Sequence, residues 1–169
     1  IFITETGGPE VLSIKEAPPP ECGPHELLVR VHASALNRAD LLQRKGLYPA
    51  PPGSPANIPG LELAGVVEAT GTEVTRFEPG DRVMGIVGGG AAAELCVLHE
   101  DIAMGIPAGV EMRDAAAIPE AFLTAYDALV LQGGLSPGEW MAINAVGSGV
   151  GTAALQTARA IGAKSIGCS

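Results

Sequence analysis

The chain has 169 residues, 47 % of them hydrophobic and 17 % charged, which is enough apolar material for a folded core and argues against disorder over most of its length. Nineteen acidic residues against ten basic ones give a formal net charge of -9, which disfavours a general nucleic-acid surface. No apolar run reaches the roughly 18 residues of a membrane span, and no basic stretch followed by an apolar one marks a signal peptide.

From Ile1 to about Gly109 the sequence is rich in glycine, proline and β-branched residues. The alternation in HELLVRVHASALN predicts a strand over Leu27–Ala33. RADLLQRKGLY predicts a short helix, with Arg38, Asp40, Gln43, Arg44 and Lys45 as its polar residues and Leu41 and Leu42 for contact. Pro49–Gly60 is proline-rich but lies between ordered segments, and reads as a structured loop rather than a flexible linker. AGVVEATGTEV, FEPGDRVMGIV and Leu95–Leu98 each give a further strand, the second entered through a Pro79-Gly80 turn. Short strands at this turn-rich spacing indicate a partly closed β domain.

Near Met112 the pattern changes. A short helix is expected over Asp114–Ile118, then a break at Pro119 and a second helix from Glu120 to Leu131, ending at Gly133-Gly134. WMAINAV has the unbroken apolar character of a buried parallel strand. A glycine-rich turn, a helix from Thr152 to Ile161 stopped by Gly162, and a new strand in KSIGCS complete a βαβ unit, the start of a doubly wound sheet. Domains are therefore expected at residues 1–118 and 119–169.

Gly147, Gly149 and Gly151 stand between strand and helix, where small residues let the backbone approach a pyrophosphate and the first helical N–H groups point at it. The spacing departs from G-x-G-x-x-G, and a merely structural turn is the alternative. Ser148 offers a hydroxyl to a phosphate or faces solvent. In dinucleotide-binding folds an acid about 20 residues on holds the adenosine ribose of NAD; here the positions are Gly167, Cys168 and Ser169, which favours a phosphorylated ribose and hence NADPH. Cys22, Cys96 and Cys168 form no CxxC pair, which fits a reducing compartment and argues against a zinc site built from them.

ALNRADLLQRKGLYPAPP, IPGLELAGVV, GDRVMGIVGGGAAAE, AAAIPEAFLTAYDAL and NAVGSGVGTAALQTARAIGA, in this order, resemble the N-terminal half of the medium-chain dehydrogenase/reductase superfamily. The likeness is to its zinc-independent quinone oxidoreductases, the zeta-crystallin-like branch, and within it to the p53-inducible type. The resemblance implies a β-rich GroES-like domain carrying much of the substrate site, then the start of an α/β Rossmann domain for NADPH, with the active site in the cleft between them. It also implies NADPH-dependent reduction of small quinones, a homodimer, a cytoplasmic location, and neither a nucleic-acid nor a membrane partner. An enoyl or other activated-alkene reductase, and a non-enzymatic NADPH-binding protein, are the competing readings. A sheet of this kind needs about five or six strands, so roughly 150 further residues are expected in an active enzyme, and this chain alone is expected to be inactive.

Zinc alcohol dehydrogenases of the superfamily carry a cysteine where this chain has Asn37, and a histidine where it has Leu61, before Glu62. Leucine has no donor atom, so a catalytic zinc is not expected. Ala39 replaces their proton-relaying hydroxyl, and the four-cysteine structural zinc lobe is missing. The resemblance makes Asn37 a catalytic and cofactor-binding candidate, bonding the nicotinamide ribose or the substrate carbonyl; its other reading is a helix cap. Tyr48 is the second catalytic candidate, or else an aromatic packed on the proline-rich loop. Thr124 is placed near the nicotinamide, or bonds back along its own helix. Gly147, Ser148, Gly149, Val150 and Gly151 are the remaining cofactor-binding candidates. Asp40 either orients a neighbour or pairs with Arg44, and Glu62 is expected in a polar network. Phe122, Tyr126 and Trp140 read as packing residues. His25, His32 and His99 show no metal-ligand spacing.

Overall fold

The computed structural model describes residues 1–168. They form two compact units that divide between Pro119 and Glu120. The first opens with a small antiparallel pair, β1 (Phe2–Ile3) and β2 (Leu12–Ser13). It then builds a five-stranded antiparallel sheet from β3 (Glu26–Ala33), β4 (Glu62–Thr70), β5 (Arg82–Ile86), β6 (Leu95–His99) and β7 (Met104–Gly105), in the order β6-β3-β4-β5-β7.

The side-chain period of two explains which residues are covered. Leu27 and Val29 of β3 point into one cluster with Leu63, Val67, Val83, Cys96 and Leu98. Ala64 and Met84 point the other way, onto Ala115 and Ala116. The first four residues of the central strand, Glu62 to Gly65, are all buried, so that stretch reads as an apolar run interrupted by one acid. The register of β3 on β4 slips twice, between Leu28 and Val29 and between Val31 and Ala33. Such irregularities add twist and suit a sheet that curls on itself.

Among the described residues this unit also holds two α-helices, α1 (Arg38–Arg44) and α2 (Met112–Ala115), besides short 3-10 turns at Pro9–Val11 and Glu100–Ile102. α2 starts two residues before the expected Asp114 and ends before Ile118. In α1 the expected sides are reversed: Asp40, Gln43 and Arg44 are buried, while Leu41 is exposed. Hydrogen bonding explains the inversion for Asp40 and Gln43, because Gln43 Nε2 donates to Ala56 O and Asp40 accepts from backbone N–H groups, so these two polar groups keep partners inside. The loop over residues 49–60 is structured, held by Ile3 N to Asn57 O, Gly90 N to Ile58 O and Ala92 N to Pro59 O.

The second unit contains α3 (Pro119–Tyr126, entered at Pro119), a π-helical stretch over Asp127–Gln132, β8 (Trp140–Asn144), α4 (Gly149–Ile161) and β9 (Lys164–Cys168). β8 and β9 are parallel, with Trp140 opposite Lys164 and Asn144 opposite Cys168, and α4 is the crossover. The small residues Ala153 and Ala154 let α4 pack on Ile143, with Ala125 of α3 in the same cluster. The helix expected from Glu120 to Leu131 is continuous in sequence but widens into π geometry in its second half, with Gly133 N reaching back to Ala128 O. Phe122 packs as expected, whereas Tyr126 and Trp140 do not: both are exposed, Trp140 at 64 %, with Lys164 Nζ 5.3 Å from its ring centroid. No helix among the described residues is long and apolar enough to cross a membrane.

Candidate functional site

Asn37 occupies the position just before α1, in extended conformation with φ -113° and ψ 159°. Its backbone N–H donates to Asp40 Oδ2 at 2.7 Å, the reciprocal arm of a capping box. Its side chain reaches away from the helix: Nδ2 donates to Glu62 Oε1 at 2.8 Å. Asn37 thus stands at the cap position with its backbone bonded to Asp40 and its side chain to Glu62. Glu62, at the start of β4, is only 2 % exposed. A buried carboxylate needs donors, and the amide supplies one where the zinc dehydrogenases would have metal-ligand chemistry nearby.

Asp40 is 6 % exposed. Its oxygens are taken by backbone groups rather than by Arg44: Oδ2 by Asn37 N, and Oδ1 by Gly60 N at 2.9 Å. Buried Arg44 has an Nε without a hydrogen-bond partner among the described residues. Tyr48 lies beyond α1 on a turn made by Gly46 N to Gln43 O and Leu47 N to Leu42 O, and its side chain is exposed. Leu61 is buried beside Glu62 and offers no donor. Among the described residues no group of three or more His, Cys, Asp or Glu side chains is arranged to hold a metal.

In the second unit the glycine turn joins β8 to α4. The helix starts at Gly149, three residues before the expected Thr152, so Gly149, Val150 and Gly151 are its first turn. Ser148 is the N-cap: its Oγ accepts from Gly151 N at 3.0 Å, a role beyond the phosphate contact or solvent exposure expected of it. Its backbone carbonyl accepts from Thr152 N. The N–H groups of Gly149 and Val150, which precede the first intrahelical bonds, are left pointing out of the helix end. A Cβ at Gly147 or Gly149 would meet nothing within 4 Å, so that face is open to a ligand. A Cβ at Gly151 would lie 2.5 Å from Ala145 O and 2.8 Å from Val146 Cα; this glycine lets helix and strand cross. The first turn holds no acidic side chain to repel an anion. Ala145 sits in the left-handed region at φ 53°, the only non-glycine residue recorded there among the described residues. Thr124 is on the exposed side of α3. At the end of β9, Cys168 is exposed and Ser169 lies outside the described residues; no acid follows Gly167 within them.

A cluster at another edge of the first unit has no signature in the sequence. Glu100 Oε2 accepts from Thr75 N at 2.9 Å and Arg76 N at 3.1 Å. His25 Nδ1 lies 3.4 Å from Glu100 Oε1, and its Nε2 lies 3.0 Å from Glu73 Oε2. The Thr75 N–H bond is the largest influence lowering the Glu100 carboxyl below its ordinary value; burial opposes it, and Arg76 N–H and His25 add to it. Residues 75 positions apart in sequence give no spacing signal.

Residues 23–108 match the alcohol dehydrogenase GroES-like domain family. A quinone oxidoreductase of Pseudomonas aeruginosa is 45 % identical over 95 % of this chain and 49 % of its own length. Among solved structures, the human synaptic vesicle membrane protein VAT-1 homolog-like protein superposes with a TM-score of 0.92 at 34 % identity, over 99 % of this chain and 54 % of that one. The Escherichia coli quinone oxidoreductase complexed with NADPH gives 0.87 at 35 % identity, over 98 % and 51 %. The chain spans about half the length of the curated relatives it matches. By this match and by its β-rich sheet followed by a βαβ unit, the chain belongs to the alcohol dehydrogenase GroES-like domain family, as a quinone-oxidoreductase-like member of the medium-chain dehydrogenase/reductase superfamily.

Proposed function

We propose that the protein of which this chain forms part is an NADPH-dependent reductase of small quinones that works without zinc. The observation that carries the reading is the Asn37–Glu62 hydrogen bond beside Leu61. An amide, a side chain with no donor and a carboxylate already engaged by that amide do not make a zinc site. A quinone is electrophilic enough to accept reducing equivalents without a Lewis acid. The E. coli relative solved with NADPH supports the choice of cofactor.

The donor set at the start of α4 fits a dinucleotide. The Gly149 and Val150 N–H groups and the Ser148 hydroxyl would hold its pyrophosphate, with Gly147 and Gly149 clearing the approach. NADPH, when bound, supplies the hydride. Asn37, with one amide N–H spent on Glu62, presents the other to the nicotinamide ribose or to the acceptor carbonyl. Tyr48 offers an exposed ring and hydroxyl for the acceptor, and Thr124 an exposed hydroxyl for the cofactor. Residues 1–118 and 119–169 are assigned as the substrate and cofactor domains. The quoted motifs support the p53-inducible type, a homodimer and a cytoplasmic location by resemblance.

The test is reduced-nicotinamide oxidation by the full-length protein, with NADPH and NADH, an ortho-naphthoquinone and an enone as acceptors, and a chelator present. Chelator-resistant NADPH oxidation by the quinone is expected. Preference for the enone would make the protein an activated-alkene reductase, and NADPH binding without turnover would make it a non-enzymatic binder.

A further inference from the structure

Asn37 is fixed at two points, and the residue joining them is Asp40. The Asp40 carboxylate is almost fully buried and spends one oxygen on each of two segments: Oδ2 on Asn37 N, Oδ1 on Gly60 N. Gly60 is two residues before Glu62, whose Oε1 takes the Asn37 side chain. These hydrogen bonds close a ring through Asn37, Asp40, Gly60 and Glu62. Its far side is stiff. Ala91 N donates to Gly60 O, Ala92 N to Pro59 O and Val87 N to Leu61 O. Gly60 has φ +102°, and a Cβ there would run into the Ala91–Ala92 backbone. The near side is the short α1, which has little rigidity of its own.

We propose that Asp40 is a positioning residue for the reductase site: by bridging the start of α1 to the Gly60–Glu62 segment it fixes where the Asn37 amide points. This rests on the reading of Asn37 as the group that meets cofactor or acceptor. A helix-capping role alone would use one oxygen, on Asn37 N, and would leave the carboxylate in solvent. It does not account for the bond to Gly60, 20 residues away, or for the burial. The bridge requires a carboxylate, because an amide would turn its NH2 against one of the two N–H donors.

The experiment compares Asp40→Asn, Asn37→Ala and the double variant in the full-length protein. Asp40→Asn is expected to lower kcat for quinone reduction about tenfold while the quinone KM moves less than about twofold. The double variant is expected to be no slower than Asn37→Ala, because Asp40 acts through Asn37. Losses that multiply in the double variant would overturn the proposal. A second readout needs no turnover: the Asn37 side-chain NH2 resonances should shift in Asp40→Asn, and exchange at the Asn37 or Gly60 amide should quicken. Unchanged resonances and exchange would overturn the proposal whatever the activity. Should Asp40→Asn fail to fold, Asp40→Glu, which keeps the charge but moves the carboxylate by one methylene, carries the same resonance test. A wild-type protein with neither quinone nor enone turnover would defeat the proposed function, and the resonance test would still decide the role of Asp40.

Discussion

At the scale of single residues, the three cysteines separate by environment. Burial pushes the Cys96 thiol up to about 12, so it stays protonated and unreactive near neutral pH. Cys22 is also raised, chiefly by burial, and its Sγ lies 3.0 Å from Glu26 O. Cys168 is exposed at the end of β9. Alkylation of the native protein followed by peptide mass analysis is expected to label Cys168 first, Cys22 slowly, and Cys96 only on unfolding; native labelling of Cys96 would contradict this packing. Ala145 is a second residue-scale case. Its left-handed backbone costs an alanine about 1 kcal/mol, partly offset by the entropy that a glycine would add to the unfolded chain. Ala145→Gly is therefore expected to raise the denaturation midpoint slightly, by at most about 0.6 kcal/mol of stability. Asn37 was legible as a candidate through its place in ALNRAD, but its partner was not. Glu62 is expected from the sequence in a polar network, but only the folded chain shows that its carboxylate is covered and that Asn37 supplies a donor.

Elements bring a different set of consequences. The start of α4 depends on the Ser148 hydroxyl, which holds Gly151 N. Ser148→Ala should cost about 1 kcal/mol of stability, read by urea denaturation, as for other lost N-caps. It should also weaken NADPH binding by the full-length protein, measured by calorimetry, if the same turn holds the pyrophosphate. The Glu100 turn pins residues 75 and 76. Because the folded protein lowers the Glu100 carboxyl, the unfolded state binds more protons there in the acid range. The stabilisation is fully present above the ordinary carboxylate range and is lost as pH falls through the depressed folded value. Denaturation midpoints followed from neutral to acid pH should therefore drop, and Glu100→Gln should flatten part of that drop. An unaltered slope in the variant would remove Glu100 from the account. Strands β3, β4, β5 and β6 and the βαβ unit were readable from alternation, apolar runs and turn residues. Helix edges were not. α4 begins at Gly149 because a serine cap and tight glycines can supply a first turn, which propensity alone assigns to a loop.

For the molecule as a whole, the parallel pair β8–β9 with a single crossover helix is a small part of the sheet a dinucleotide enzyme uses. The order of elements, the change near Met112 from β-rich to helix–strand patterning, and Asn37 and Leu61 where zinc dehydrogenases carry Cys and His are all legible along the chain. These are local properties: periodicity, punctuation by Gly and Pro, and the donor atoms a side chain does or does not own. Folding alone brings Asp40 and Glu62 to Asn37, buries Asp40, Gln43 and Arg44 of α1, and leaves Trp140 and Tyr126 exposed. Those outcomes depend on which strand lies beside which, and on whether a buried polar group finds a partner far along the chain, which no local pattern records.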